Sequence, residues 1–122
     1  MALLRDEPAG ERVEEEWIAR GAAISAINLG ETLYIRIRER GEDAAATEID
    51  TIRKRSTVVE ADWPLVLAAA KIKAGGGLSY ADAFCVATAD RLNAVLWTGD
   101  PEIVSLTEKL PCEVHDLRSA QA

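Results

Sequence analysis

Histidine is nearly absent from this sequence, and that lack narrows its chemistry first. The single one, His115, lies in the C-E-V-H-D-L segment, so a mechanism built on imidazole bases has little material and His115 reads as structural. Cysteine is scarce too. Cys85 (A-F-C-V-A) and Cys112 (L-P-C-E-V) sit in apolar surroundings and match no zinc spacing, which points to buried free thiols and suits a reducing compartment. No apolar run is long enough to cross a bilayer, and the opening M-A-L-L-R-D-E-P acquires charge by Arg5 and Asp6. A secretory signal is thereby excluded, and the expectation is a cytoplasmic protein without membrane attachment. There is no Walker loop and no G-x-G-x-x-G; the glycines at 75 to 77 do not follow a strand, so phosphate cradling of a nucleotide is not expected. Positive charge is also in the minority, with 14 Lys and Arg against 21 Asp and Glu and a formal net charge of -7. Such a surface repels nucleic-acid phosphates at long range, so any contact with them must be local.

What is present suffices for one core. The chain has 122 residues, 48% of them hydrophobic, enough for a single domain spanning 1–122 without disulfides. A-G-E-R-V-E-E-E-W-I-A-R-G places Val13, Trp17 and Ile18 at helical spacing, and A-A-I-S-A-I is a short apolar strand. Asn28 then opens L-G-E-T-L-Y-I-R-I-R-E-R-G, in which Leu29, Leu33 and Ile37 recur every four residues. A charged helix over E-D-A-A-A-T-E-I-D-T-I-R-K-R precedes a second strand, S-T-V-V-E-A, with paired valines. D-W-P-L-V-L-A-A-A-K-I-K-A is a helix capped by Asp62 and stopped by the triple glycine. L-S-Y-A-D-A-F-C-V-A-T-A-D-R-L-N is a strongly apolar helix, A-V-L-W a buried strand, P-E-I-V-S-L-T-E-K-L a short helix and C-E-V-H-D-L a last strand. Strands alternating with helical crossovers pair in parallel and are covered on both faces, which predicts a three-layer α/β/α sandwich. The opening A-L-L-R-D-E-P looks like the tail of a helix with no strand before it.

In such sheets ligands collect beyond the carboxyl ends of the strands. Three acids fall there: Glu31 after A-I-S-A-I, Asp82 in the first turn of the apolar helix, and Asp100 directly after A-V-L-W-T-G. Each also has a capping explanation. Asn28 with Glu31 and Ser79 with Asp82 have capping-box spacing, and Asp100 before Pro101 is a favourable N-cap. Against capping alone stands the phase of Asp82, which heads the stripe Cys85, Val86, Ala89 that should face the sheet. A carboxylate there is costly unless it is paired or binds a cation. No lysine or arginine lies four residues on from Asp82, and Arg38 is two turns from Glu31. Carboxylate oxygens suit Mg2+ or Mn2+, and such an ion can activate water and stabilise charge on a phosphodiester. Hydrolysis of RNA or DNA is the chemistry this pattern favours.

The motifs S-A-I-N-L-G-E at 25 to 31, L-S-Y-A-D-A at 78 to 83 and T-G-D at 98 to 100 resemble the PIN-domain ribonucleases, and within them the VapC-type toxins. The likeness spans nearly the whole chain. It implies that Glu31, Asp82 and Asp100 are metal-binding acids, that Asn28 and Thr98 support metal or substrate by hydrogen bonds, and that Ser25 lines the site. It further implies an Mg2+- or Mn2+-dependent endoribonuclease that forms a homodimer and is neutralised by an antitoxin. The chain departs from the pattern at its start, where the family has a central strand ending in an aspartate. That strand and its acid are expected to be missing, Asp6 being a poor replacement at the far end of the first helix. A start assigned too far downstream is the expected cause, the longer native chain being the active form; a shortened chain, or a degenerate member that only binds a partner, are the alternatives. A receiver-like signalling domain lacks its acidic pair and late lysine.

Basic residues cluster at Arg36, Arg38 and Arg40 and again at Arg53, Lys54 and Arg55. Arg36 and Arg38 are the candidates for phosphate contact, while the second cluster is equally explained as helix-terminal cations. Trp17, Trp63 and Trp97 lie among apolar neighbours and are expected in the core or at an interface, and an exposed Leu3, Leu4 and Trp17 surface would fit the antitoxin.

Overall fold

The computed structural model describes residues 2–4, as backbone, and 22–117. Its centre is a five-stranded, all-parallel sheet in the order β3-β2-β1-β4-β5, with β1 Ala2–Leu4, β2 Ala22–Ser25, β3 Ser56–Val59, β4 Val95–Thr98 and β5 Val114–Asp116. The helices between strands are α1 Ala26–Arg40, α2 Glu42–Arg55, α3 Trp63–Ala74, α4 Tyr80–Leu92 and the short α5 Pro101–Ser105, followed by a 3-10 turn at Thr107–Lys109.

Alternation along the strands builds the layers. In β2, Ala23 packs with Cys85, Val86 and Ala89 of α4 and with Leu96 of β4. Its neighbour Ile24 packs instead with Leu29 of α1 and Ile49 of α2, as opposite pointing of successive strand side chains requires. α3 closes over α4 through Leu65, Ala69, Ala83, Phe84 and Ala87. The expected three-layer sandwich with a parallel sheet is therefore the observed one. Gly77, at φ +89, lets the loop after α3 come against Leu106: a Cβ there would lie 2.8 Å from Leu106 Cδ1. That close approach seats the start of α4 beside the end of α5.

Two sequence expectations need correction. The central place, expected to be vacant, is filled by Ala2–Leu4, whose Leu3 is in register with Ala23 on one side and Leu96 on the other. These residues were expected in a helix; the reason for the difference is that A-L-L has no strong preference of its own, and pairing on both sides decides it. None of these three residues is acidic. Trp63, expected in core or interface, is 71% exposed on the first turn of α3, because Leu65 rather than its apolar neighbour turns inward. Trp97 is half-buried and meets the His115 ring at 5.0 Å between centroids, with the planes tilted by 38°. The helix expected over 9–21, Asp6, Trp17 and the Leu3 and Leu4 side chains lie outside the described residues.

Candidate metal centre at the carboxyl edge of the sheet

β2 runs directly into α1, and Ser25, buried at the strand's end, is the N-cap: its Oγ accepts from Asn28 N–H at 3.1 Å. The expectation that Asn28 opens this helix shifts by three residues. Glu31 thus lies in the second turn, beyond capping reach, and the capping explanation for it falls away. Asn28 is 2% exposed. Its Oδ1 accepts from the Ser25 hydroxyl, and its Nδ2 donates to Ala81 O at 2.9 Å.

That last bond joins α1 to the first turn of α4, where Ser79 Oγ accepts from Asp82 N–H at 3.1 Å. Asp82 is itself 2% exposed, its inward phase following from the apolar residues three, four and seven positions on. The sequence offered neither Glu31 nor Asp82 a local cation, yet in the fold neither residue is without a partner. Thr98, fully buried at the end of β4, accepts from Asp100 N–H at 3.0 Å through Oγ1. Asp100 is the N-cap of α5, Oδ1 accepting from Glu102 N–H at 2.9 Å with Pro101 next in line. For this residue the capping explanation holds as well.

Glu31 follows β2 and Asp100 follows β4, the strands on either side of β1, and the Asn28 to Ala81 bond brings the turn bearing Asp82 against the start of α1; the carboxyl edge is the usual place for a ligand in an open α/β sheet. The three acids do not make a closed cage: among the described residues no three acidic, histidine or cysteine side chains are grouped closely enough to hold an ion. The donor set nonetheless fits Mg2+ or Mn2+, since Mg2+ is commonly held by one or two carboxylates and retains several waters.

The arginines divide. Arg36 pairs with Glu39 at 3.3 Å and through Nε with Glu48 at 3.1 Å, and Arg40 also pairs with Glu48, so both are engaged in fastening α1 to α2. Arg38 lies over the Tyr34 ring at 5.3 Å. In the second basic cluster Lys54 pairs with Asp50 at 2.9 Å. Sequence reasoning missed the cap at Ser25 and the Asn28 to Ala81 bridge; the S-A-I-N spacing carries the cap, but a bond across 53 residues has no local signal. Cys85 and Cys112 are free thiols. Burial, reinforced by Asp90, pushes the Cys112 thiol up to about 11, so it stays protonated and unreactive near neutrality. No helix of the described residues is long and apolar enough to cross a membrane.

Among solved structures, the DNA-bound VapBC complex of Salmonella typhimurium aligns with a TM-score of 0.73 at 18% identity, covering 96% of this chain and 98% of that one. FitAcB from Neisseria gonorrhoeae aligns at 0.70 with 17% identity, covering 97% and 99%, and VapBC2 from Rickettsia felis, bound to a promoter DNA fragment, at 0.69 with 14% identity, covering 95% and 98%. These likenesses establish the fold. No curated protein matches the chain. The PIN domain profile matches residues 1–109, and by that match across most of its length this chain belongs to the PIN domain family.

Proposed function

We propose that this PIN domain is a metal-dependent endoribonuclease of VapC type, the toxin of a toxin–antitoxin pair. The observation that carries the reading is the burial of Asp82 at the head of an apolar helix face whose first turn is bonded to the start of α1; the reading adds Glu31, on α1, and Asp100, directly after β4, to the same acidic edge. Bound there, Mg2+ or Mn2+ would supply an activated water and charge stabilisation at a phosphodiester. Asp82, with Glu31 beside it on α1, would hold the ion, and Asp100, fixed by Thr98 and by its own cap, would complete the acidic face. Ser25, Asn28 and Thr98 support these positions, and Arg38, with Arg36 behind it, would meet substrate phosphates. An antitoxin covering the acidic edge, a homodimer and a cytoplasmic location belong to the same reading, which takes its support from the toxin–antitoxin complexes that share the fold.

A second reading has its own observation. β1 carries no acid, and the described acids do not close around an ion by themselves; a PIN module that only binds an antitoxin or another protein would be built this way. Cleavage of a structured RNA by this chain, with Mg2+ or Mn2+ and with EDTA, separates the two. The nuclease reading expects chelator-sensitive cleavage that Asp82→Asn lowers by at least about ten- to a hundredfold, the loss typical even of residues behind a metal's direct ligands. Equal cleavage by parent and Asp82→Asn would overturn it, and silence under every metal condition would favour the binding module.

A further inference from the structure

We propose that Asn28 is a positioning residue that locks the Glu31-bearing part of α1 to the Asp82-bearing turn of α4, so that the spacing of the two acids depends on one buried amide. The proposal rests on the metal-centre reading above and assigns Asn28 a role behind the acids instead of contact with metal or substrate.

Both ends of the amide are committed inside the protein. Ser25 Oγ accepts from Asn28 N–H and therefore has its own hydrogen to give to Oδ1. Nδ2 faces Ala81 O at 2.9 Å, and a backbone carbonyl can only accept, which fixes the orientation of the amide. Ala81 immediately precedes Asp82, whose own N–H donates to Ser79 Oγ. Asp82 is thereby held on one side by its cap and on the other through the peptide that Asn28 grips. Glu31 stands three residues on from Asn28, on the adjoining turn of the same helix face. A shift of α4 against α1 changes the distance between the two acids, and the Asn28 to Ala81 bond is a buried polar contact that opposes it. At 2% exposure this amide lies where a lost partner is not replaced by water.

A merely stabilising polar residue would look similar, and Thr32 supplies the comparison. It is equally buried on α1, but its Oγ1 bonds back to Asn28 O at 3.2 Å within the same helix and does not cross to α4.

Mn2+ binding, read by calorimetry and by the loss of the free-ion spectroscopic signal, should be compared in the full chain and in Asn28→Ala, Asn28→Asp, Asn28→Ser and Thr32→Val, with melting temperature alongside. Asn28→Asp keeps the shape and the acceptor but puts an oxygen where the donor to Ala81 O stood. The expected result is a dissociation constant raised about ten- to a hundredfold in the Ala and Asp variants, whereas Thr32→Val lowers the melting temperature and leaves Mn2+ affinity at the parent value. Asn28→Ser, which leaves a small hydroxyl in place of the amide, should weaken Mn2+ binding likewise and keeps the measurement available if the others do not fold. A folded Asn28 variant with parental affinity would overturn the proposal, as would Thr32→Val weakening Mn2+ as much as Asn28→Ala does. A parent chain that binds no Mn2+ would sink the metal-centre reading itself and the positioning role with it.

Discussion

Asp100 commits Oδ1 to Glu102 N–H while standing at the carboxyl edge of β4, so one residue serves as both helix cap and candidate ligand. Glu31, by contrast, lost its capping explanation once Ser25 proved to be the cap, and its place in the second turn of α1 is what sets it apart. The sequence could name both acids but could not weigh their two uses, because a cap three residues earlier changes the answer. The arginines show the same limit. Arg36 and Arg38 are indistinguishable in a string, yet Glu48, from the next helix, neutralises Arg36 and leaves Arg38 over Tyr34. Arg38→Ala is therefore expected to weaken binding of single-stranded RNA and reduce the slope of log affinity against log salt by about 1. Arg36→Ala should leave that slope at the parent value and alter stability by no more than the roughly 0–1 kcal/mol of an exposed pair. Titrations at several salt concentrations decide it; a larger loss of slope in Arg36→Ala would reverse the assignment.

Among elements, the α3–α4 hairpin joins its apolar packing to a polar fastening at one carboxylate. Asp62 caps α3 by accepting from Leu65 N–H at 2.9 Å and meets Arg91 near the end of α4 in a two-pronged pair at 2.6 and 2.9 Å. The Arg91 hydrogen bond first, and the Leu65 N–H second, hold the Asp62 carboxyl below its ordinary value. A lowered folded-state pKa favours folding above the unfolded value, about 3.9, and this contribution disappears as pH falls through the folded value. Asp62→Ala should accordingly lower the melting temperature by roughly 5 °C at pH 7, with the gap to the parent closing below about pH 4. A gap constant down to pH 2 would mean that the loss comes from packing. The cap half of this arrangement was legible, since D-W-P is a helix start with proline at an early position. The Arg91 half was not, because residues 29 apart in sequence meet only once Leu65, Ala69, Phe84 and Ala87 have packed. Periodicity likewise gave α1 to α4 and β2 to β5 within a few residues.

At the scale of the whole molecule, β1 is the element that the sequence misplaced and the one on which the sheet turns. A-L-L followed by charged helix formers carries no alternation and no β-branched residue, so local preference points to helix; only a place between β2 and β4 makes it a strand. The three-layer fold was still legible without it, because the other four strands and their crossovers dictate parallel pairing with helices on both faces. Its energetic role follows from position. β2 and β4 share no pairing with each other and reach one sheet through β1 alone, so the acids carried by the segments after β2 and β4 are registered across those three residues. A central parallel strand engages its backbone N–H groups with its neighbours. Leu3→Pro removes one of them in the middle of the strand, leaves a buried acceptor unsatisfied at about 1–3 kcal/mol, and adds a ring that the neighbouring strands must accommodate. Against a total stability on the order of 5–15 kcal/mol, that should lower the melting temperature by at least about 5 °C and weaken Mn2+ binding even well below the transition, since β2 and β4 are no longer held in register. Leu3→Val keeps the N–H and favours a strand, so it should preserve the pairing and depart from the parent less than the proline variant does. Calorimetric melting with Mn2+ titration of the two variants tests the point; a proline variant indistinguishable from the parent would remove β1 from the centre of the sheet.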